Sequence, residues 1–295
     1  MNLTEYYQPG RFGLSFELFP PKTEAKEQEL FATVDELARF GPDFMTCTYG
    51  AGGSTRDKTL DLITRVRAKV GCPVASHLTC VGSTRDQLRS YLAEAADRGV
   101  DYIVALRGDP PKGETTFTPL ADGLRYASEL VELIRNEFPS FGIAVAGYPE
   151  VHQEAISPES DLDFLKHKID CGGEVVITQL FYDNDDFYRF RERYDAAGIT
   201  APLVPGMLPI TNFAQIKRIT ALCGAKLPAK LISNLETCGD DAEQQFEAGV
   251  RYAIEQTQDL IDRDVCGMHF YVLNQSAATR RLLPELNLPA RTFLV

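Results

Sequence analysis

Short apolar runs alternate along the chain with longer stretches whose apolar residues recur at helical spacing. Eight runs read as strands, over 14–19, 44–48, 74–79, 102–106, 143–146, 175–178, 203–205 and 268–273. The stretches between them carry amphipathic helix patterns, such as Leu60, Ile63, Val66 and Val70, or Leu88, Tyr91, Leu92 and Ala95. Two helix-start signals of capping-box type, Ser54-Thr55-Arg56-Asp57 and Ser83-Thr84-Arg85-Asp86, lie 29 residues apart. That is about the length of one strand-helix unit, as parallel strands joined by right-handed crossovers require.

Eight such units predict the α/β class and a closed (β/α)8 barrel, with extra helices between strands seven and eight, in the 212–263 stretch. An open doubly wound sheet would want Gly-x-Gly-x-x-Gly after its first strand. The nearest segment, Gly50-Ala51-Gly52-Gly53-Ser54-Thr55, follows the second strand and lacks the third glycine, and there is no Walker-type loop. No linker or low-complexity tract divides the chain, so residues 1–295 are expected to form one catalytic barrel.

Composition adds little to this picture, but charge narrows the partners. Apolar residues at 44% and charged residues at 24% suit an ordinary globular core. A net charge of -12 and a pI of about 4.9 repel polyanions, which argues against nucleic acid or an anionic membrane as partner. An anionic ligand therefore needs a local cationic pocket. Seven scattered cysteines with no Cys-x-x-Cys pair suggest reduced thiols. With no charged-then-apolar leader and no apolar run near the ~18 residues of a membrane span, a cytoplasmic location is expected.

The candidate chemistry gathers at strand ends, where barrel enzymes place their active sites. Glu17 sits in an apolar run that stops at Pro20-Pro21. A carboxylate so placed is neutral, paired or employed as an acid. Thr48 and Tyr49 stand at the end of strand two, His77 and Thr79 at the end of strand three, Arg107 and Asp109 at the end of strand four, and Tyr148, Gln179 and Asn274 at the ends of strands five, six and eight. Blander readings stand beside these. Glu17 could be a structural partner of Arg107. Arg107-Gly108-Asp109-Pro110-Pro111 could be only a turn. Lys166-His167-Lys168 could be a solvated helix face, and Asp185 with Arg189 a surface pair. His77 and Cys80, three apart on a strand, face opposite ways and make a poor metal pair.

Taken together, Ser15-Phe16-Glu17-Leu18-Phe19-Pro20-Pro21-Lys22-Thr23, Thr48-Tyr49-Gly50-Ala51, His77-Leu78-Thr79-Cys80 and Ala105-Leu106-Arg107-Gly108-Asp109 resemble the methylenetetrahydrofolate reductase family. So do Gly147-Tyr148-Pro149-Glu150-Val151-His152, Ile177-Thr178-Gln179, Pro205-Gly206-Met207-Leu208-Pro209 and His269-Phe270-Tyr271-Val272-Leu273-Asn274, in the same order. The resemblance implies a barrel that binds FAD and uses NADH or NADPH to reduce 5,10-methylenetetrahydrofolate to 5-methyltetrahydrofolate, in one-carbon metabolism and methionine biosynthesis. It implies a ping-pong cycle in which nicotinamide and folate visit the same flavin face, and self-association into a homo-oligomer.

By resemblance, Glu17 is the general acid toward the folate N10 and Asp109 the aspartate beside flavin and pterin. Thr48, Tyr49, Ala51, His77, Arg107, Gly108, Tyr126, Ala127, Tyr148, His152, Ala155, Asp161 and Lys168 would surround FAD, with Arg107 and Lys168 facing its diphosphate. Gln179 and Gln215 would contact substrate. No metal is implied. The chain departs from its relatives where Phe164 and His167 replace a polar and a basic residue near FAD, Ile219 an aromatic, and Gln275 an arginine. Arg280 or Arg281 could replace that arginine only if turned inward. Rival readings are a proline-dehydrogenase-like flavin barrel and a catalytically silent folate-binding barrel. A Schiff-base aldolase is disfavoured because no predicted strand ends in lysine.

Overall fold

The computed structural model describes residues 2–48, 56–110, 113 and 116–289. Nine parallel strands form one sheet: β1 Gly13–Leu18, β2 Phe44–Cys47, β3 Val74–Thr79, β4 Tyr102–Leu106, β5 Gly142–Gly147, β6 Val175–Thr178, β7 Leu203–Val204, β8 Gly206–Met207 and β9 Gly267–Tyr271. Their spatial order is β7-β6-β5-β4-β3-β2-β1-β9-β8. The strands at the two ends of that order are halves of one strand interrupted at Pro205. The first half pairs with β6 and the second with β9, so the predicted seventh strand closes an eightfold barrel.

That closure explains two local choices in the sequence. Proline donates no hydrogen bond, but its carbonyl accepts one from His269 N at 3.0 Å. At Gly206 a Cβ would lie 2.2 Å from the Thr178 carbonyl oxygen, so only glycine lets the two strands approach there. Gly206 N then donates to Thr178 Oγ1 at 2.9 Å, and the Tyr271 hydroxyl donates to Thr178 O at 2.7 Å. The predicted strand 203–205 stops at this proline, whereas the pairing continues to Met207.

Helices α1 Glu24–Ala38, α2 Arg56–Val70, α3 Arg85–Asp97, α4 Ala127–Glu137, α5 Pro158–Asp170 and α6 Asn184–Ala196 follow the first six strands. Three more, α7 Phe213–Cys223, α8 Ala229–Thr237 and α9 Ala242–Asp262, fill the predicted insertion, and α10 Ala277–Leu282 follows β9. The start of α3 corrects the expected cap by one residue. Thr84, not Ser83, is the N-cap, and it forms a reciprocal capping box with Gln87. Ser54 and Thr55, of the other signal, lie outside the described residues.

Alternation along each strand separates two apolar cores. Outward residues such as Leu14, Phe16, Leu18, Ile103 and Val176 pack with helix faces. Inward residues Phe44, Ala75, Tyr102, Val104, Ala144, Val175, Ile177 and Val204 fill the barrel together with Leu3 and Tyr7. The latter two come from a 3-10 turn, Leu3–Tyr7, that floors the barrel. A Cβ at Gly13 or Gly267 would lie 2.2 or 2.8 Å from the Tyr7 ring, so paired glycines seat it. Among the described residues no helix is long and apolar enough to cross a membrane.

Candidate active site

β1 and β9 pair in a register that sets Ser15 beside His269 and Glu17 beside Tyr271. All four follow the inward alternation, above the glycine pair that seats Tyr7. Ser15 Oγ lies 2.8 Å from His269 Nδ1, and His269 is 1% exposed. Glu17 Oε2 is 4.0 Å from His269 Nε2 and 3.3 Å from Nε2 of His77 on β3. The Tyr271 ring stands edge-on to His269, with centroids 5.0 Å apart. A carboxyl that is 6% exposed is thus flanked by two imidazoles, one fixed by a buried hydroxyl. Burial holds His77 below the usual imidazole range, Glu17 opposing that shift and His269 adding to it. A neutral ring rather than a cation therefore faces the carboxyl.

Above this group the strand ends enclose a cavity of ≈ 550 Å³. Glu17, Thr48, His77, Thr79, Arg107, Gly108, Asp109, Tyr148 and Gln179 line it, with Val104, Ile177, Leu208 and Ile219 as apolar wall. Gly108 adopts φ +88, and a Cβ there would lie 2.6 Å from Val81 Cγ1, so glycine is required where the chain turns off β4. Gln179 Oε1 accepts from Leu180 N at 2.9 Å, which leaves its amide NH2 as the group to offer a ligand. Asn274 clamps the lip. Its Oδ1 accepts from Phe19 N and its Nδ2 donates to Phe19 O, both at 2.8 Å, extending the β1–β9 ladder with a side chain. The clamp holds two successive non-glycine residues, Leu273 and Asn274, at positive φ, 48° and 56°.

A second cavity of ≈ 310 Å³ adjoins the first between the starts of α4 and α5. Tyr126, Ala127, Ala155, Asp161, Phe164 and Lys168 line it, and both cavities share Leu106, Arg107, Ala146, Tyr148 and His152. Helix-capping chemistry builds its walls. Glu129 reaches back to the Arg125 and Tyr126 amides, Ser157 caps α5 with Pro158 behind it, and Asp161 accepts from His152 N at 3.1 Å. Burial pushes the Lys168 ammonium down to about 8 against the pull of Asp161, while Nζ donates to Ala146 O at 2.5 Å. Burial likewise raises Asp161 and lowers His152. Tyr126 and Phe164, 43% and 56% exposed, stack at the rim with centroids 6.1 Å apart.

The joined cavities suit a long ligand with an anionic middle. The cationic side chains Arg107 and Lys168 and the exposed aromatic pair are a donor set that a dinucleotide such as FAD would fit.

Most expected site residues converge here. Tyr49 and Ala51 lie outside the described residues. Gln215 is half-buried in the first turn of α7 and lines neither cavity, whereas Ile219 one turn later does. Arg107 is not the partner of Glu17; it pairs with Glu154 instead. Arg280 and Arg281 form surface pairs with Glu36 and Glu247, and Gln275 is exposed. Cys80 faces the outer core while His77 faces the cavity. Lys168 leaves the reading of a solvated helix face, as Lys166 alone pairs with Asp170 on the surface. Ser15, His269 and Tyr271 stand in the quoted motifs without a site role of their own, and Glu154 stands in none of them. The alternation Ser15-x-Glu17 and His269-x-Tyr271, polar inward and apolar outward in otherwise apolar strands, was the available signal. Among the described residues, no group of three or more His, Cys, Asp or Glu could hold a metal ion.

Residues 2–287 match the family described as "Methylenetetrahydrofolate reductase". The chain is 39% identical over 267 residues to "5,10-methylenetetrahydrofolate reductase" of Escherichia coli strain K12, covering 90% of this chain and 88% of that one. It is 37% identical over 291 residues to "Methylenetetrahydrofolate reductase (NADH) 1" of Arabidopsis thaliana, covering 95% of this chain and 49% of the relative. The chain thus spans about half the length of the plant relatives it matches. Among solved structures, a Clostridium thermocellum protein described as uncharacterized and binding two copies of 5-methyl-5,6,7,8-tetrahydrofolic acid superposes with a TM-score of 0.63 at 15% identity, covering 93% of each chain. That likeness supports the fold.

Proposed function

Since the chain belongs to the methylenetetrahydrofolate reductase family, we propose that it reduces 5,10-methylenetetrahydrofolate to 5-methyltetrahydrofolate, with NADH or NADPH as electron donor and FAD as resident cofactor. The observation that carries this reading is Glu17: a buried carboxyl at a strand end, opening onto a cavity large enough for a tricyclic ring and facing a neutral imidazole. On this reading residues 1–295 work as one catalytic barrel that serves methionine biosynthesis in the cytoplasm and self-associates.

FAD, when bound, supplies hydride transfer between the nicotinamide and the folate. The rest is work for the chain. Glu17 delivers a proton to the folate N10, which turns the methylene bridge into an electrophile. His269, pinned at Nδ1 by Ser15, holds its other nitrogen toward Glu17 and limits where the carboxyl can swing. Asp109 at the mouth would set negative charge beside a ring bound there, and Gln179 would offer its amide NH2 to whichever substrate is present. Thr48, His77, Arg107, Gly108, Tyr148 and His152, which line the first cavity, would hold the flavin half, and Tyr126, Ala127, Ala155, Asp161 and Lys168, which line the second, would hold the adenosine half. Tyr49 and Ala51 keep the flavin contacts their motif implies, whereas Gln215, which lines neither cavity, is left without a substrate contact.

One spectrum tests the reading. The purified protein is expected to be yellow, to bleach under anaerobic NADH or NADPH, and to recolour on adding methylenetetrahydrofolate. A colourless protein that binds folate without oxidising nicotinamide would select the silent barrel. Bleaching by proline without nicotinamide would select the dehydrogenase.

A further inference from the structure

Arg107 stands where the two cavities meet, and three of its five N–H donors are already engaged. Glu154 fills the end-on fork, with Nη1 to Oε2 at 2.5 Å and Nη2 to Oε1 at 2.8 Å. Nε on the side-on face donates to Gly108 O at 3.3 Å, and the guanidinium lies over the Phe117 ring, 5.3 Å from its centroid. A guanidinium recognises a phosphate best through two parallel N–H bonds. A diphosphate that seeks such a grip on Arg107 meets a carboxylate in its place.

Glu154 is built to yield. Its side chain is 49% exposed, and the segment that carries it is held by other contacts. Lys226 N donates to the Glu150 carboxylate, Gln153 Nε2 donates to Leu222 O, Asp161 accepts from His152 N, and Ala155 N donates to His152 O. Swinging the carboxylate away leaves each of these bonds intact. The pair also keeps both partners charged: Arg107 holds Glu154 below the usual carboxylate range, and Glu154 raises the guanidinium.

We propose that Glu154 is a competing anion built into the cofactor site, a side chain that occupies the fork of Arg107 and surrenders it to the diphosphate of an incoming flavin dinucleotide. The inference rests on the flavin reading above. Its consequence is selectivity: a flavin that carries a diphosphate must displace Glu154, while riboflavin, with none, has no reason to.

The test is equilibrium titration of flavin-depleted protein, followed by quenching of flavin fluorescence, with FAD and riboflavin on the unaltered chain, Glu154→Gln and Glu154→Ala. Removing the competing charge is expected to tighten FAD binding by about tenfold, the scale of one charge-assisted bond. Riboflavin should be unchanged, so the ratio of the two affinities moves. A merely structural role for Glu154 would shift both flavins together. Unchanged or weaker FAD binding in both variants would overturn the proposal, since Glu154 would then be orienting Arg107 rather than competing for it. A gain seen only for NADH on the flavin-loaded protein would also overturn it, because the contested diphosphate would be the nicotinamide's. If the unaltered chain binds neither flavin, the cofactor reading fails as well, a result distinct from bound FAD that ignores Glu154.

Discussion

Between β1 and β9 the side chains facing the barrel axis are Ser15, Glu17, His269 and Tyr271, whereas across the ring β4, β5 and β6 present Tyr102, Val104, Ala144, Val175 and Ile177. Both halves are buried and share one fold. On the polar half these four groups have neighbours: Ser15 holds His269, two imidazoles flank Glu17, and the Tyr271 hydroxyl reaches Thr178 O. On the apolar half there is little to satisfy and the wall simply fills space. An ionisable group can sit inside a barrel if the strands beside it supply its partners, and the opposite wall then excludes water at no polar expense.

The sharpest way to break this contrast is Glu17→Gln. On the proposed chemistry it slows folate-dependent reoxidation by roughly 10²–10⁴-fold, the scale of general acid catalysis, and leaves the nicotinamide half-reaction intact, as stopped-flow absorbance would show. Next is the seam where the halves meet. Gly206→Ala would drive a methyl into the Thr178 carbonyl and is expected to lower unfolding free energy by about 3 kcal/mol in urea melts. A smaller, paired effect comes from exchanging the materials. Ser15→Ala, which strands a buried His269 nitrogen, and Val175→Thr, which buries a hydroxyl among apolar neighbours, should each cost about 2 kcal/mol. If either were neutral, the division between the halves would be one of composition only.

The smallest expected effect concerns the adjoining cleft. Lys168 titrates at about 8, so its ammonium is charged below that pH and neutral above it. Its contribution to holding a diphosphate is therefore present at pH 7 and lost as pH rises. FAD affinity should fall by up to about fivefold between pH 8 and 9, because the charged fraction drops from about one half at the pKa to about one-eleventh a unit above it. Lys168→Arg should flatten that decline in the same titration.

Much of the architecture was legible because it depends on local period. The eight strands and the helical insertion before the last of them follow from alternation and length. Local period falls short where a single bond decides the outcome. Thr84 rather than Ser83 caps α3 because Gln87 can answer it, and strand seven runs on past Pro205 because the pairing simply changes partner. The site was legible as a set of strand ends, through motifs, but not as a network. Ser15 and His269 are 254 residues apart, and only barrel closure makes them neighbours. Nothing near Arg107 in sequence announces that Glu154, 47 residues on, takes its fork. Local pattern reports which way a residue faces, whereas its partner depends on ring closure.

Asn274 carries one last consequence, for the ageing of the protein. Its amide gives Phe19 both an acceptor and a donor. Spontaneous hydrolysis of that amide to an acid would keep the acceptor and replace the donor with oxygen, setting lone pairs against the Phe19 carbonyl. Stored or heated protein would then lose the shape of its entrance through a change of one mass unit, while the barrel beneath stayed folded.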